Sequence, residues 1–435
     1  MSDYSIITVG ERVGREMHDL MAELYPICRS ITGDGVRQSL AILGRHIPLQ
    51  IEEVPSGTAV FDWTIPNEWN IRDAYVKNAA GEKVIDFQQC NLHVLNYSVP
   101  IHRRVSLSEL QEHLHSLPEH PDWIPYRTSY YRENWGFCLS DRVRQSLPEG
   151  EYEVLIDATL APGHLTYGEY YLPGESEDEI LLSCHSCHPS LANDNLAGMA
   201  VATFLAKALQ EKQRRYSYRF LFIPGTIGSI TWLARNEERV GRIKHGLVLA
   251  CVGDPGHLTY KRSRRGNAEI DRAVLHVLQQ AARPYNVVDF SPYGYDERQY
   301  CSPGFNLAVG SLTRTPHGRY PQYHTSADNL DLVQPEYLAD SFATYLAVLD
   351  VLEKNKTYLN TNPKCEPQLG KRGLYGALGG LQDTREREMV MLWVLNLADG
   401  AHTLLDMAER AGARFALVSE VASVLEAHGL LTAVA

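Results

Sequence analysis

The stretch 179–198, EILLSCHSCHPSLANDNLAG, constrains the fold more than any other part of the chain. The run from Glu179 to Cys184 reads as a strand buried on both faces, the signature of a parallel sheet covered by helices. It delivers His185 and His188 into a loop that reaches Asp194-Asn195 and opens into LAGMAVATFLAKAL, an apolar-rich helix. Imidazoles and a carboxylate at the carboxyl end of such a strand stand where open α/β sheets place ligands. Neutral imidazole with carboxylate is also a typical ligand set for zinc. Surface residues would explain one such loop, but a second cluster, Tyr323-His324-Thr325-Ser326-Ala327-Asp328, occupies a similar setting downstream.

Two other chemistries fit the same residues. Cys184 to His188 satisfies the CxxCH pattern of covalent haem attachment, which requires export. The amino terminus reads as lacking a signal peptide, and Cys184 would close a buried strand. A CxxC redox pair is the other reading.

The strand is one of four. EILLSC, YRFLFIP, GLVLACVGD and FNLAVGSL alternate with helices expected at about 195–212, 227–240, 267–282 and 335–354. That rhythm implies a parallel or mixed sheet with helices on both faces. Three of the strands end in loops rich in polar groups or glycine: His185 to Asp194, Pro224-Gly225-Thr226 and Gly253-Asp254-Pro255. Convergence of such loops at one sheet edge favours a site over chance.

The remaining segments differ in texture. Val9 to Tyr25 and a stretch ending near His46 read as helices, joined by a Gly-rich turn in which Arg29 or Arg37 could clamp a carboxylate. Short β-branched and aromatic runs from about Val54, such as AVFDW, KVIDF and YEVLIDATL, read as a mostly β domain. His93, Tyr97, Tyr130, Tyr131 and Trp135 form an aromatic and polar set there, either core or the wall of a pocket. Tyr358 to Gly380 reads as a linker or lid. From Thr384 onward three helices follow at helix-turn-helix spacing. The third carries Glu420 and Glu426 and no basic residue, which argues against DNA recognition.

At 435 residues the chain is long enough for two or three domains. Its formal charge of −12 disfavours nucleic-acid binding, and no apolar run approaches a membrane span. Eight cysteines scattered over this length fit a reducing cytoplasm better than a disulfide scaffold.

LYPICRSITGDGVR, CHSCHPSLANDNLAG, CVGDPGHLTYKRSRRG, DERQYCSPGFN and YHTSADNLD together resemble a bacterial family of aminopeptidase-like proteins, and the likeness covers nearly the whole chain. The resemblance implies an α/β fold: a zinc-aminopeptidase-like (phosphorylase/hydrolase-like) mixed sheet sandwiched by helices, with an inserted β domain and a C-terminal winged-helix module. The expected boundaries are 1–54 and 162–370 for the aminopeptidase-like domain, 55–161 for the insert and 371–435 for the winged helix.

The wider zinc-aminopeptidase superfamily implies metal ligands at His185, Asp194, Asp254 and His324. Cys187 stands where that template has an Asp orienting the first His. The template's paired Glu-Glu, a general base and a second-metal ligand, is absent: the turn after RFLFIP reads Gly225-Thr226. The related family keeps a Glu before that Thr. Asp296, Glu297 or Asp328 are the candidate substitutes for proton transfer, and His188 could complete the metal shell. One zinc is expected, with a poorer second site.

The expected function is a cytoplasmic zinc-dependent hydrolase that cuts an amide or peptide bond in a small peptide-like or aminoacyl substrate with metal-activated water. Arg29, Arg262 or Arg298 would anchor a substrate carboxylate, with Tyr131 and Tyr323 as further binding residues. A homo-oligomer is expected, with neither nucleic acid nor membrane as partner. The alternative is a metal-binding pseudo-enzyme, inactive at Gly225, that holds a small amino-acid-like or sugar-linked ligand.

Overall fold

The computed structural model describes residues 3–374 and 381–434, with side chains described for 11–374 and 385–434. The chain forms two compact units, Met1–Ala268 with Pro284–Ala343, and Glu269–Arg283 with Thr344–Ala435.

The first unit is built on an eight-stranded mixed sheet. In spatial order its strands are Gln50–Pro55, His164–Leu172, Ser217–Ile223, Glu179–His185, Ile243–Leu249, Val309–Thr313, Leu258–Lys261 and Tyr285–Val288. The four central strands, Ser217–Ile223 to Val309–Thr313, run parallel, and the strand next to them on each side joins them antiparallel. Every residue of Glu179–His185 and of Ser217–Ile223 is buried, which is why both read as unbroken apolar runs. The helix Ala197–Gln210, AGMAVATFLAKALQ, is buried almost all round, and its small residues allow it to lie close to the sheet.

An ionic cluster of three residues is set into this core. Arg219, on one central strand, donates from Nε and Nη2 to the Glu179 carboxylate of the next, at 2.7 and 2.8 Å. Its Nη1 reaches Glu169, whose other oxygen accepts from Trp232 Nε1 at 2.9 Å. A buried guanidinium is tolerated here because its charge meets two carboxylates in forked geometry.

Within the same unit a four-stranded antiparallel sheet is ordered Lys83–Asp86, Glu68–Lys77, Glu151–Ala161, Ile101–Ser106. Tyr152, Val154, Ile156 and Ala158 alternate inward along one strand, as expected for a sheet packed on one face. Of the aromatic set, Tyr97 and Trp135 are core residues, His93 bonds the Cys138 carbonyl, and Tyr131 is 52% exposed. Tyr130 hydrogen-bonds Tyr126.

In the second unit the sheet is ordered Asp399–Thr403, Thr357–Asn360, Leu431–Ala433, with the helices Leu381–Leu397, Leu404–Ala411 and Phe415–Ala427. Thr403 and Asp406 form a capping box at the start of Leu404–Ala411, and Gly412, in the left-handed region, ends it. The sheet takes in Thr357–Asn360, ahead of the boundary at 371 and overlapping the start of the segment expected to be a linker or lid. Residues 375–380 of that segment lie outside the described residues. The helix expected over 227–240 stops at Arg235, where Asn236 turns its amide back onto the Trp232 carbonyl.

Candidate metal centre

His185 closes its strand at the carboxyl edge of the sheet. Asp194 comes from the irregular turn Ala192–Leu196, which neighbouring strand ends and loops pin in place. Asp328 accepts from the Asn193 N–H at 2.6 Å and the Asp194 N–H at 3.1 Å, one carboxylate oxygen each. Asn195 donates to the Leu249 carbonyl at 2.9 Å and to the His185 carbonyl at 3.2 Å. The Asp194 carboxylate is thereby held among three imidazoles. Its Oδ1 lies 2.7 Å from His185 Nε2, and its Oδ2 lies 3.1 Å from His324 Nε2 and 3.8 Å from His188 Nε2. One ligand atom from each of His185, His188 and Asp194 falls within 4.8 Å of the others.

The electrostatics match a cation site. Burial holds the His188 imidazole well below its usual pKa, so it is neutral and free to ligate. Burial alone would raise Asp194, but the imidazoles around it, with His185 and His324 hydrogen-bonded to its oxygens, hold the carboxyl well below the usual range. Neutral imidazole nitrogens and one ionised carboxylate are donors that zinc accepts.

Aromatic rings fix the imidazole planes. Tyr295 stacks on His185 with centroids 4.8 Å apart and donates to Asp194 Oδ1 at 3.3 Å. Tyr323 stacks on His324 at 4.0 Å. Tyr126 meets His324 edge-on at 5.1 Å, and its N–H donates to the His324 carbonyl at 2.8 Å. Around it, Pro125 bridges Thr325 and Ile124 exchanges hydrogen bonds with Ser326. The Ile124–Tyr126 segment thus forms one wall of the His324 loop.

Not every expected ligand joins the cluster. Asp254 sits at a strand's carboxyl end, as the template implies, but its carboxylate is already occupied. It accepts from the Gly256 N–H at 2.8 Å, the Thr315 N–H at 3.1 Å, the Thr315 hydroxyl, and Asn193 Nδ2 at 3.0 Å. Asp254 therefore supports the Asn193-Asp194 turn instead of pointing at the imidazoles. Cys187 lies beside His188, not His185: its sulfur is 3.4 Å from His188 Nδ1 and 3.8 Å from the Gly225 carbonyl oxygen. All eight cysteines are free, with Cys184 fully buried.

The three candidate carboxylates for proton transfer separate cleanly. Glu297 is buried and ion-paired with Lys261 at 2.8 Å. Asp328 is committed to the turn. Asp296 is fully buried; its Oδ1 accepts from Ser229 at 2.8 Å, while Oδ2 has no partner among the described residues. A Cβ placed on Gly225 would lie 3.6 Å from that Oδ2 and 3.1 Å from His185 Cβ. Burial pushes the Asp296 carboxyl up to about 6, against the opposing pull of His185.

The expected substrate anchors fare unevenly. Arg29 is 1% exposed and gives its N–H groups to the His188 carbonyl at 2.8 Å, the Leu24 carbonyl at 2.7 Å and Ser39. It ties the His188 loop to the first two helices, while its Nη2 is buried with no partner among the described residues. Arg262 donates to the Gly266 carbonyl and faces Asp289 at 3.7 Å. Arg298 follows Asp296 by two residues, and its Nε is buried with no partner among the described residues. Tyr131 stands edge-on to Trp63 at 5.5 Å. Sequence reasoning missed Tyr126, Tyr295, Asn193 and Asn195. The signal for Tyr295 is its place in YGYDERQ directly before Asp296; Tyr126 carries none.

Comparison with known proteins agrees with this architecture. Residues 18–355 match the family described as a domain of unknown function, DUF4910, and residues 356–433 match a winged helix-turn-helix family. A Clostridium acetobutylicum protein, provisionally described as a polysaccharide biosynthesis protein with an aminopeptidase-like domain, is 56% identical over 412 residues, 95% of each chain. A crystal structure from the same organism, provisionally described as a peptidase, superposes with a TM-score of 0.94 at 54% identity over 99% of both chains. BSAP, a zinc aminopeptidase from Bacillus subtilis, shares the fold at a TM-score of 0.57 and 11% identity, over 78% of this chain and 94% of its own. The chain has an aminopeptidase-like fold followed by a winged helix, and it belongs to the DUF4910 family.

Proposed function

We propose that the protein is a zinc-dependent hydrolase of an amide or peptide bond in a small substrate, with Asp296 as the proton-transfer carboxylate. One zinc would be held by His185, His188, Asp194 and His324. The observation that carries the reading is Asp296 Oδ2: a buried carboxylate oxygen with no partner among the described residues, beside Gly225, where the superfamily's catalytic Glu would begin. Bound there, zinc would polarise the scissile carbonyl and lower the pKa of a water. Asp296 takes up the proton released on attack and returns it to the departing amine. Ser229 occupies Oδ1, so Oδ2 is the basic atom. A carboxyl near pH 6 is ionised at neutral pH yet more basic than a solvated Asp, which suits proton transfer. Arg298, with its unsatisfied Nε, is the proposed anchor for a substrate carboxylate. The free cysteines support a cytoplasmic setting.

The test uses zinc-loaded protein against aminoacyl amides, dipeptides and N-acyl amino sugars, the last included because of the description of the Clostridium acetobutylicum relative. Turnover of one class is expected, with Asp296→Asn about 10²–10⁴-fold slower. A panel with no turnover removes the catalytic half of the proposal. Gly225→Glu separates the binding-only alternative: that reading expects a sharp gain in activity. With Asp296 as the base, the new side chain crowds Oδ2 and His185, and a loss is expected.

A further inference from the structure

Apart from the imidazole cluster, the first unit contains a cavity of about 900 Å³ whose chemistry no part of the hydrolase reading uses. None of the cluster's imidazoles lines it. Its wall is formed by the turn after the first helix, the four-stranded sheet, and residues next to the metal loops. Ser190 and Ser326 follow His188 and His324 by two residues each, and Asn329 follows Asp328 directly.

The charged groups of this wall, Asp34 and Arg72, both lie at its exposed rim. Asp34 shares Arg37 with Glu53 and Glu68, its own contact being 3.0 Å, and Arg72 is paired with Asp157. No lining residue offers an uncommitted cation to a phosphate or carboxylate, and the acidic lining residue, Asp34, is 79% exposed at the rim. What remains is neutral hydrogen-bonding capacity. Asn91 gives its NH₂ to the Pro26 carbonyl at 3.3 Å, while its Oδ1 is buried with no partner among the described residues. Asn329 uses its oxygen to cap Asp331 and Leu332; among the described residues its NH₂ and the Tyr25 hydroxyl are uncommitted. Between them stand apolar surfaces, notably Phe87 and Ile71, both half-buried.

Amide and phenol groups that offer both donors and acceptors, interleaved with an aromatic face and with charged groups confined to the exposed rim, select for one kind of ligand. It must be neutral, carry hydroxyls that donate and accept at close intervals, and present apolar C–H edges between them. A carbohydrate has that chemistry, and the volume suits one or two sugar rings. We propose that this cavity is a binding site for a neutral mono- or disaccharide unit, separate from the metal centre.

The test is calorimetric titration and saturation-transfer NMR on the full-length protein. The panel holds methyl glycosides, N-acetylglucosamine, N-acetylgalactosamine and neutral disaccharides, with inorganic phosphate, glucuronate and dialanine as comparators. One neutral saccharide is expected to bind saturably, one per chain. Binding should survive both chelation of metals and Asp296→Asn, so its outcome is independent of the hydrolase reading. Phe87→Ala is expected to weaken it at least about tenfold, which is 1.4 kcal/mol. Gln38→Trp, which fills the cavity from an exposed helix position without removing a hydrogen bond, is expected to abolish it. Thermal denaturation establishes that each variant is folded. The proposal is overturned if no neutral saccharide binds below about 10 mM. Preference for phosphate, glucuronate or dialanine, loss of binding on chelation, or indifference to both substitutions would overturn it equally.

Discussion

A buried carboxylate with one oxygen unpaired is costly, and the cost is measurable without any substrate. Burial raises the Asp296 pKa in the folded chain to about 6, against an ordinary 3.8. A group raised in this way favours the folded state fully below about pH 3.8, and that contribution is lost as pH rises through 6. Above pH 7 the shift amounts to up to about 3 kcal/mol, at about 1.36 kcal/mol per unit. Asp296→Asn removes the titration but leaves an amide N–H facing the same unpaired position, at a cost of about 1–2 kcal/mol. Metal-free Asp296→Asn is therefore expected to be more stable than the parent by about 1–2 kcal/mol above pH 7. That advantage should shrink and reverse as pH falls through 6, as followed by denaturant melts at several pH values. A structural ion pair would give the opposite sign at neutral pH. Asp254 shows why such distinctions escape sequence reading. It lies at a strand end in the expected context, yet what decides its role is the occupancy of its oxygens by Gly256, Thr315 and Asn193. Thr315 is 61 residues away, and no local motif announces it.

At the scale of elements, the parallel strands were legible because burial on both faces leaves an unbroken apolar run. His185, Asp194 and His324 were legible because such sheets gather their loops at one edge. The Arg219 ion pairs were not, since an Arg within YRFLFIP gives no sign of partners on two other strands. Arg219→Ala is expected to cost about 3–5 kcal/mol by stranding Glu179 and Glu169 in the core. Replacing Arg219, Glu179 and Glu169 together by Met, Leu and Gln should recover most of that loss; denaturant melts of the two variants decide it. The Ile124–Tyr126 segment was equally hidden, because its pairing with residues 324–326 spans about two hundred positions. Tyr126→Ala removes the ring edge against His324 while keeping the backbone pairing. It is expected to weaken zinc binding about 10–100-fold, the usual scale for a group that orients a ligand. Tyr126→Phe, which keeps the ring, should bind within a few-fold of the parent, and competition with a chromophoric chelator measures both.

For the whole molecule, a metal bound to one compact unit leaves a regional signature. Ligand binding stabilises the state that binds by RT ln(1 + [L]/Kd), about 2.7 kcal/mol at a hundredfold excess over Kd. The N–H groups of Asn193 and Asp194 are held by Asp328, and the Tyr126 N–H by the His324 carbonyl, so they report on the turn and loop that would hold zinc. Burial holds the Asp328 carboxyl up near 7, but its role as acceptor for two backbone N–H groups does not require the metal. Hydrogen exchange at 192–196 and 324–326 is accordingly expected to slow by up to about a hundredfold when zinc is added to chelated protein. Exchange in the helices Leu404–Ala411 and Phe415–Ala427 of the second unit should not change. Equal protection of both units would mean that zinc acts through the global stability of the chain. No protection at 192–196 would remove Asp194 from the metal site, and with it the reason for three imidazoles to meet on one carboxylate.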